Sequence, residues 1–150
     1  MDKFSTPSFN DHLSLIKHFE GYKGTTYKCP ADVNTIGYGH TGKDVVDGMK
    51  ITQEQGEKFL KEELKEHRGH VEKQFKGIPL KENQIGALTS FCYNVGPGNL
   101  NKSTLKKRIL AGEDPNKVAK EELPKWNKAA GKELPGLSRR REAEAALFCK

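Results

Sequence analysis

The hydrophobic pattern changes period abruptly at Gly21, and that change limits the architectures open to this chain. Before it, Phe9, Leu13, Ile16 and Phe19 recur at three- and four-residue spacing, which makes one apolar stripe on a helix. Thr6 followed by Pro7 reads as a capping residue with proline at the first helical position. The helix is therefore expected over residues 6–20, with Gly21 ending it. Glu20 then sits at the end of a packed helix, off the stripe and free to face a cleft. Residues 21–51 are rich in Gly, Thr, Tyr and Val and carry no helical period. Short strands are predicted at Thr25–Lys28 and Thr35–Gly39, with a third around Met49–Ile51. Gly37 and Gly39, lacking side chains, would let a bound molecule or another backbone segment come close.

A second change follows. Thr52-Gln53-Glu54-Gln55 is a capping-box sequence. It opens a helix reaching to about residue 76, with Phe59, Leu60, Leu64, Val71 and Phe75 on its apolar side. Beyond Pro79, Ile85, Leu88, Phe91, Cys92 and Val95 mark a strongly apolar helix that stops at Gly96-Pro97-Gly98. Ser103 caps a short helix containing Leu105, Ile109 and Leu110. Asp114-Pro115 starts another, and residues 137–148 close the chain as an Arg- and Ala-rich helix. The expected fold class is α+β in a single domain, residues 1–150. A small antiparallel β lobe and a larger helical lobe are joined by the long helix, with a cleft between them.

Charged residues make up 31% of the chain and hydrophobic ones 34%, so apolar side chains must be confined to one face of each element. The net charge of +6 favours a polyanionic partner: nucleic acid, an anionic membrane surface or the bacterial envelope. No cluster of base-stacking aromatics or reading helix supports nucleic acid, and Arg139-Arg140-Arg141 is more simply read as pairing along a helix face with Glu142 and Glu144. Met1 to Pro7 contains no apolar signal core. The charge-free run from Asn83 to Asn101 holds too many Asn, Gln, Gly and Pro residues to span a bilayer, so no stable membrane insertion is expected. Cys29, Cys92 and Cys149 are odd in number and widely spaced, which fits free thiols made in a reducing cytoplasm. Cys92 reads as a small core residue. His67 and His70 lack a third ligand and read as a solvated helix face, and His40 reads as a hydrogen-bonding residue of the hairpin. No metal and no cofactor is expected.

The chemistry is concentrated in His18-Phe19-Glu20-Gly21, Cys29 and Thr35-Ile36-Gly37-Tyr38-Gly39-His40, which space an acid, a thiol and a hydroxyl at intervals of nine and six residues. By spacing alone, Glu20 is one carboxylate among twenty acidic residues. The pattern nevertheless resembles the active-site signature of the phage-type lysozymes, the T4-lysozyme-like endolysins of glycoside hydrolase family 24, whose middle position is Asp or, in some members, Cys. Further blocks carry the resemblance in order along residues 10–148. Ser90-Phe91-Cys92-Tyr93-Asn94-Val95-Gly96 and Ser103-Thr104-Leu105 resemble the family's SF-x-[FY]-N-x-G and STL segments. Trp126-Asn127-Lys128-Ala129 with Leu134-Pro135-Gly136-Leu137 and Arg139-Arg140-Arg141-Glu142 resembles its C-terminal segment.

The resemblance implies a lysozyme-like fold and a muramidase cutting the β-1,4 bond between N-acetylmuramic acid and N-acetylglucosamine. Glu20 would be the general acid, its pKa raised by desolvation beside Phe19 and Tyr22. Cys29 would stand in the nucleophile or water-activating position, with Lys28 and neighbouring lysines favouring thiolate, or the thiol would only position water. Asp32 is the one spare carboxylate nearby. Thr35 would hold the attacking water. Substrate contacts are implied for Thr41, Tyr93 and Thr104, with Tyr93 equally readable as a core aromatic and Trp126 more readily as a structural anchor. The expected partner is bacterial peptidoglycan, met by a monomer that waits in the host cytoplasm for a holin-type pore before acting on the wall. The alternative is a catalytically weak or inactive peptidoglycan-binding protein on the same fold.

Overall fold

The first helix starts later than its apolar stripe. In a computed structural model, which describes residues 8–29 and 31–150, helix α1 spans His12–Glu20. Asp11 caps it, with Oδ1 accepting a hydrogen bond from the Ser14 amide at 2.8 Å. An aspartate inside the expected helix offers its own capping oxygen, and that local bond decides the boundary. Phe9 therefore packs from outside the helix, against His18 and Phe19. Thr6 and Pro7 lie outside the described residues. Leu15 and Ile16 are the helix's buried pair. Gly21 ends it at φ 68°, a left-handed conformation that favours glycine, and its N–H donates to the Lys17 carbonyl.

Strand β1 (Lys23–Lys28) pairs antiparallel with β2 (Asn34–Gly37), which pairs antiparallel with β3 (His40–Thr41). Tyr27 lies opposite Thr35, and Thr35 opposite Thr41. The strand expected over Thr35–Gly39 thus ends at Gly37. Gly37 and Gly39 both take positive φ, 68° and 85°, and reverse the chain so that His40 returns alongside Ile36. Met49–Ile51 forms no strand; Lys50 makes a single antiparallel bridge to Thr25.

The capping box is present at the start of α2 (Gln53–Gln74), with Thr52 and Gln55 each accepting from the other's backbone N–H. At about 1.5 Å per residue this helix is roughly 33 Å long, enough to run from the β lobe through the helical lobe. Leu60, Leu64, Val71 and Phe75 are buried. Gly56 of α2 meets Gly37 of β2 so closely that a Cβ on Gly37 would lie 3.3 Å from the Gly56 Cα. The close approach foreseen at Gly37 is therefore to another backbone segment.

In the helical lobe, α3 (Glu82–Val95) is buried on most of its surface, with Leu88, Phe91 and Cys92 fully enclosed. Gly96 ends it. Pro97 then begins a short helix, α4 (Pro97–Lys102), which the sequence reading missed by taking Gly96-Pro97-Gly98 only as a stop. Helix α5 (Thr104–Leu110) is capped by Ser103 and α6 (Pro115–Glu122) by Asp114, both as expected. A 3₁₀ turn at Leu123–Lys125 and a two-residue hairpin, β4 (Lys128–Ala129) and β5 (Lys132–Glu133), lead to α7 (Pro135–Phe148). Trp126 packs edge-on against Phe91, with ring centres 5.4 Å apart, so it serves as an anchor of this lobe. The three cysteines are free.

Candidate active site

Two local features place the Glu20 carboxyl. The left-handed Gly21 makes Glu20 the last residue of α1, and the turn at Gly39 lies directly against it: a Cβ on Gly39 would fall 2.6 Å from Glu20 Oε1. The other oxygen, Oε2, accepts a hydrogen bond from Arg140 Nη1 at 2.6 Å. The Glu20 side chain is 20% exposed and that of Arg140 only 4%. The surroundings expected for Glu20 were apolar. The structure instead sets a buried guanidinium on it, because α7 packs across α1 and α3 and carries Arg140 to the helix end.

Cys29 follows β1. Its N–H donates to the Val33 carbonyl at 3.1 Å, and its own carbonyl accepts from Asp32 N at 2.8 Å, which closes a tight turn between β1 and β2. The turn directs backbone N–H groups at the thiol. Those of Val33 and Ala31 hold the Cys29 pKa below its ordinary 9.0. The favouring of thiolate comes from this turn; Lys28 extends instead towards Asp47, at 3.9 Å. Asp32 takes φ 61° within the turn and is exposed. Thr35 is 3% exposed, and its hydroxyl donates to the Val33 carbonyl at 2.9 Å. That bond uses its only proton and leaves its oxygen able to accept.

Between the lobes is a cavity of about 450 Å³ lined by Glu20, Cys29, Thr35, Thr41 and Tyr93, together with Tyr27, Gly39, Glu63, His67 and Asn94. Residues far apart in the chain thus meet in one cleft. Thr104 stands exposed at the first position of α5 and is not among these lining residues. Tyr93 lines the cleft, and its hydroxyl donates to the Tyr38 carbonyl at 2.9 Å, tying α3 to the β lobe. Burial pushes its phenol pKa well up.

Behind the cleft, His40 joins three segments. Its Nδ1 bonds the Glu63 carboxyl of α2, its Nε2 lies 2.9 Å from Asp44 Oδ2, and its ring stacks on Phe59 at 4.6 Å. Burial opposes the charged imidazolium, but the two carboxylates outweigh it and raise the His40 pKa above 6.5. A raised folded-state value gives stability that is fully present below pH 6.5 and lost as pH rises through the folded value. We expect His40→Asn to cost about 2 kcal/mol at pH 5.5 and clearly less at pH 9, from urea unfolding at both. An equal cost at the two pH values would rule out this linkage. His67 is half-buried on the cleft wall rather than on a solvated face. Its Nδ1 donates to the Glu63 carbonyl, and its ring meets Tyr93 edge-on at 5.3 Å.

The residues that sequence reasoning missed are chiefly those on α7. Leu137, Arg140, Arg141, Glu144, Leu147 and Phe148 follow helical spacing, so two arginines and a glutamate occupy core-facing positions. Arg140, Arg141 and Glu144 are indeed buried, at 3%, 0% and 0% exposure. The pairing with Glu144 foreseen for a solvated face is an interior one.

This chain belongs to the phage lysozyme family, whose pattern it matches over residues 17–144. It is 44% identical over 138 residues to an endolysin of Bacillus phage B103, covering 91% of this chain and 51% of that protein. It is 42% identical to an endolysin of Acyrthosiphon pisum secondary endosymbiont phage 1, covering 91% of this chain and 93% of that one. The chain spans about half the length of the two Bacillus phage relatives it matches. Among solved structures, an endolysin from Escherichia coli O157:H7 phage FAHEc1 superposes with a TM-score of 0.81 at 35% identity, covering 95% of this chain and 92% of that one. The muramidase domain of SpmX from Asticcacaulis excentricus gives 0.82 at 29% identity, with coverages of 96% and 99%. The lysozyme-like fold read from the sequence is the fold observed.

Proposed function

We propose that this chain is a peptidoglycan hydrolase, an N-acetylmuramidase that cuts the β-1,4 bond between N-acetylmuramic acid and N-acetylglucosamine. The observation that carries the proposal is the convergence of Glu20, Cys29 and Thr35 on one inter-lobe cavity. Hydrolysis of a glycoside needs an acid at the leaving oxygen and a second group at the opposite face of the sugar. Glu20 supplies the proton through Oε1, because Oε2 is engaged by Arg140. Cys29, as thiolate, draws the proton from a water held by the Thr35 oxygen, and that water attacks the anomeric carbon with inversion. Thr41 and Tyr93 contact the glycan along the cleft, and Thr104 contacts it beyond the cavity. The net charge of +6 draws the protein to the anionic wall.

The endolysin names of its relatives support a phage lysis role, in which a monomer gathers in the host cytoplasm and reaches the wall through a holin-type pore. No helix among the described residues is long and apolar enough to cross a membrane. The test is product analysis of digested sacculi. New reducing ends at N-acetylmuramic acid, first formed as the α anomer, are expected. Binding to sacculi with no new reducing ends would reject hydrolysis in favour of a glycan-binding protein. Cys29→Ala should lower turnover about 100-fold, as loss of a general base does, while Cys29→Asp should stay within about tenfold of the parent. A β anomer as first product, with Cys29→Asp inactive, would make the thiol a nucleophile instead.

A further inference from the structure

We propose that Glu144 is a positioning residue for the reaction, acting on Glu20 through Arg140, with Ser90 completing the arrangement. The inference rests on the reading of Glu20 as the acid. All three kinds of guanidinium nitrogen on Arg140 are engaged. Nη1 donates to Glu20 at 2.6 Å, Nε to Glu144 Oε2 at 3.3 Å, and Nη2 to the Ser90 carbonyl at 3.3 Å. Ser90 Oγ donates to the same Glu144 oxygen at 2.6 Å. A planar guanidinium held along two edges has its third direction set, so Glu144 and Ser90 decide where Nη1 points.

Charge balance makes the same case. Two buried arginines, Arg140 and Arg141, face two carboxylates, Glu20 and Glu144, and Arg141 Nε lies 2.8 Å from Glu144 Oε1. Arg141 Nη2 also donates to Asn94, a residue of the cleft wall, at 2.6 Å. Removing a carboxylate wholly from water is expensive, and an apolar residue would serve packing alone at least as well. Restraint of Arg140 gives the buried charge a use. Without Glu144, Arg140 can swing to take both oxygens of Glu20, which withdraws the one that must give its proton to the substrate.

The experiment compares Glu144→Gln, Ser90→Ala and Glu20→Gln in steady-state digestion of solubilised glycan strands across pH. Glu144→Gln should lower kcat about 10- to 100-fold with KM within about twofold, as expected for a misplaced catalytic group. Its activity should also fail at lower pH on the alkaline side. The groups facing Glu20 are Tyr27 from β1, Tyr93 from α3 and both arginines from α7, and only the arginines lose a counter-charge. If Glu144→Gln does not fold, Ser90→Ala keeps every charge and should still lower kcat about fivefold. Parental kcat and an unmoved pH profile in whichever variant folds would overturn the inference, even with a lower melting temperature. An active Glu20→Gln would instead remove the reading on which it rests.

Discussion

Glu20→Gln is expected to lower sacculus turnover about 1,000-fold while the protein remains folded. The amide has the shape of the carboxyl and keeps an oxygen to accept from Arg140 Nη1, but it carries no acidic proton for a leaving sugar. Arg140 keeps its hydrogen bonds to Glu144 and the Ser90 carbonyl, with Glu144 then shared between the two buried guanidiniums. The stability cost should stay near 1 kcal/mol, a change of a few degrees in melting temperature for a chain of this size. Reducing ends released per enzyme, read beside thermal unfolding, separate chemistry from folding. Undiminished turnover would end the assignment of Glu20 as the acid.

Gly39→Ala should do nearly as much damage from a residue with no chemistry of its own. Its φ of 85° costs an alanine about 1–2 kcal/mol, and the new methyl would stand 2.6 Å from Glu20 Oε1. Something must move, and forced displacement in a packed site costs a further 1–3 kcal/mol or so. The neighbour most able to give way is the carboxyl itself, since Gly39 lies in a tight turn of the hairpin. Turnover should fall at least about 100-fold, with unfolding free energy lower by roughly 2–4 kcal/mol. Gly48→Ala is the control. Gly48 also has positive φ, at 74°, but has no neighbour within 4 Å of an added Cβ, so it should lose stability and keep turnover. If both variants kept turnover, the close fit of Gly39 against Glu20 would not matter for catalysis.

The wider reading of the fold succeeded where the signal was local. Thr52 with Gln55, Ser103, and Asp114 with Pro115 mark helix starts by chemistry complete within a few residues, and each start was found where expected. Thr6 with Pro7 offered the same signal for α1. Asp11, capping from within the expected helix, sets the start of α1 at His12. The strand at Thr35–Gly39 was read too long because alternation shows that a segment is extended but not where glycines turn it back. Pro97 was taken as a stop because proline both ends one helix and begins the next, and only packing of α4 under α3 selects the second role.

The sequence by itself determined the order of the longer helices, the two-lobe plan and the spacing of Glu20, Cys29 and Thr35, because caps, periods and short loops act between near neighbours in the chain. Only the tertiary structure decided that Arg140 holds Glu20, 120 residues away, and that Glu144 lies buried behind it. It likewise put His67 on the cleft wall and Gly39 against the carboxyl. Such contacts depend on how α7, α3 and the hairpin pack around α1. A charged residue on a core-facing stripe reveals its purpose only when its partner arrives from another element.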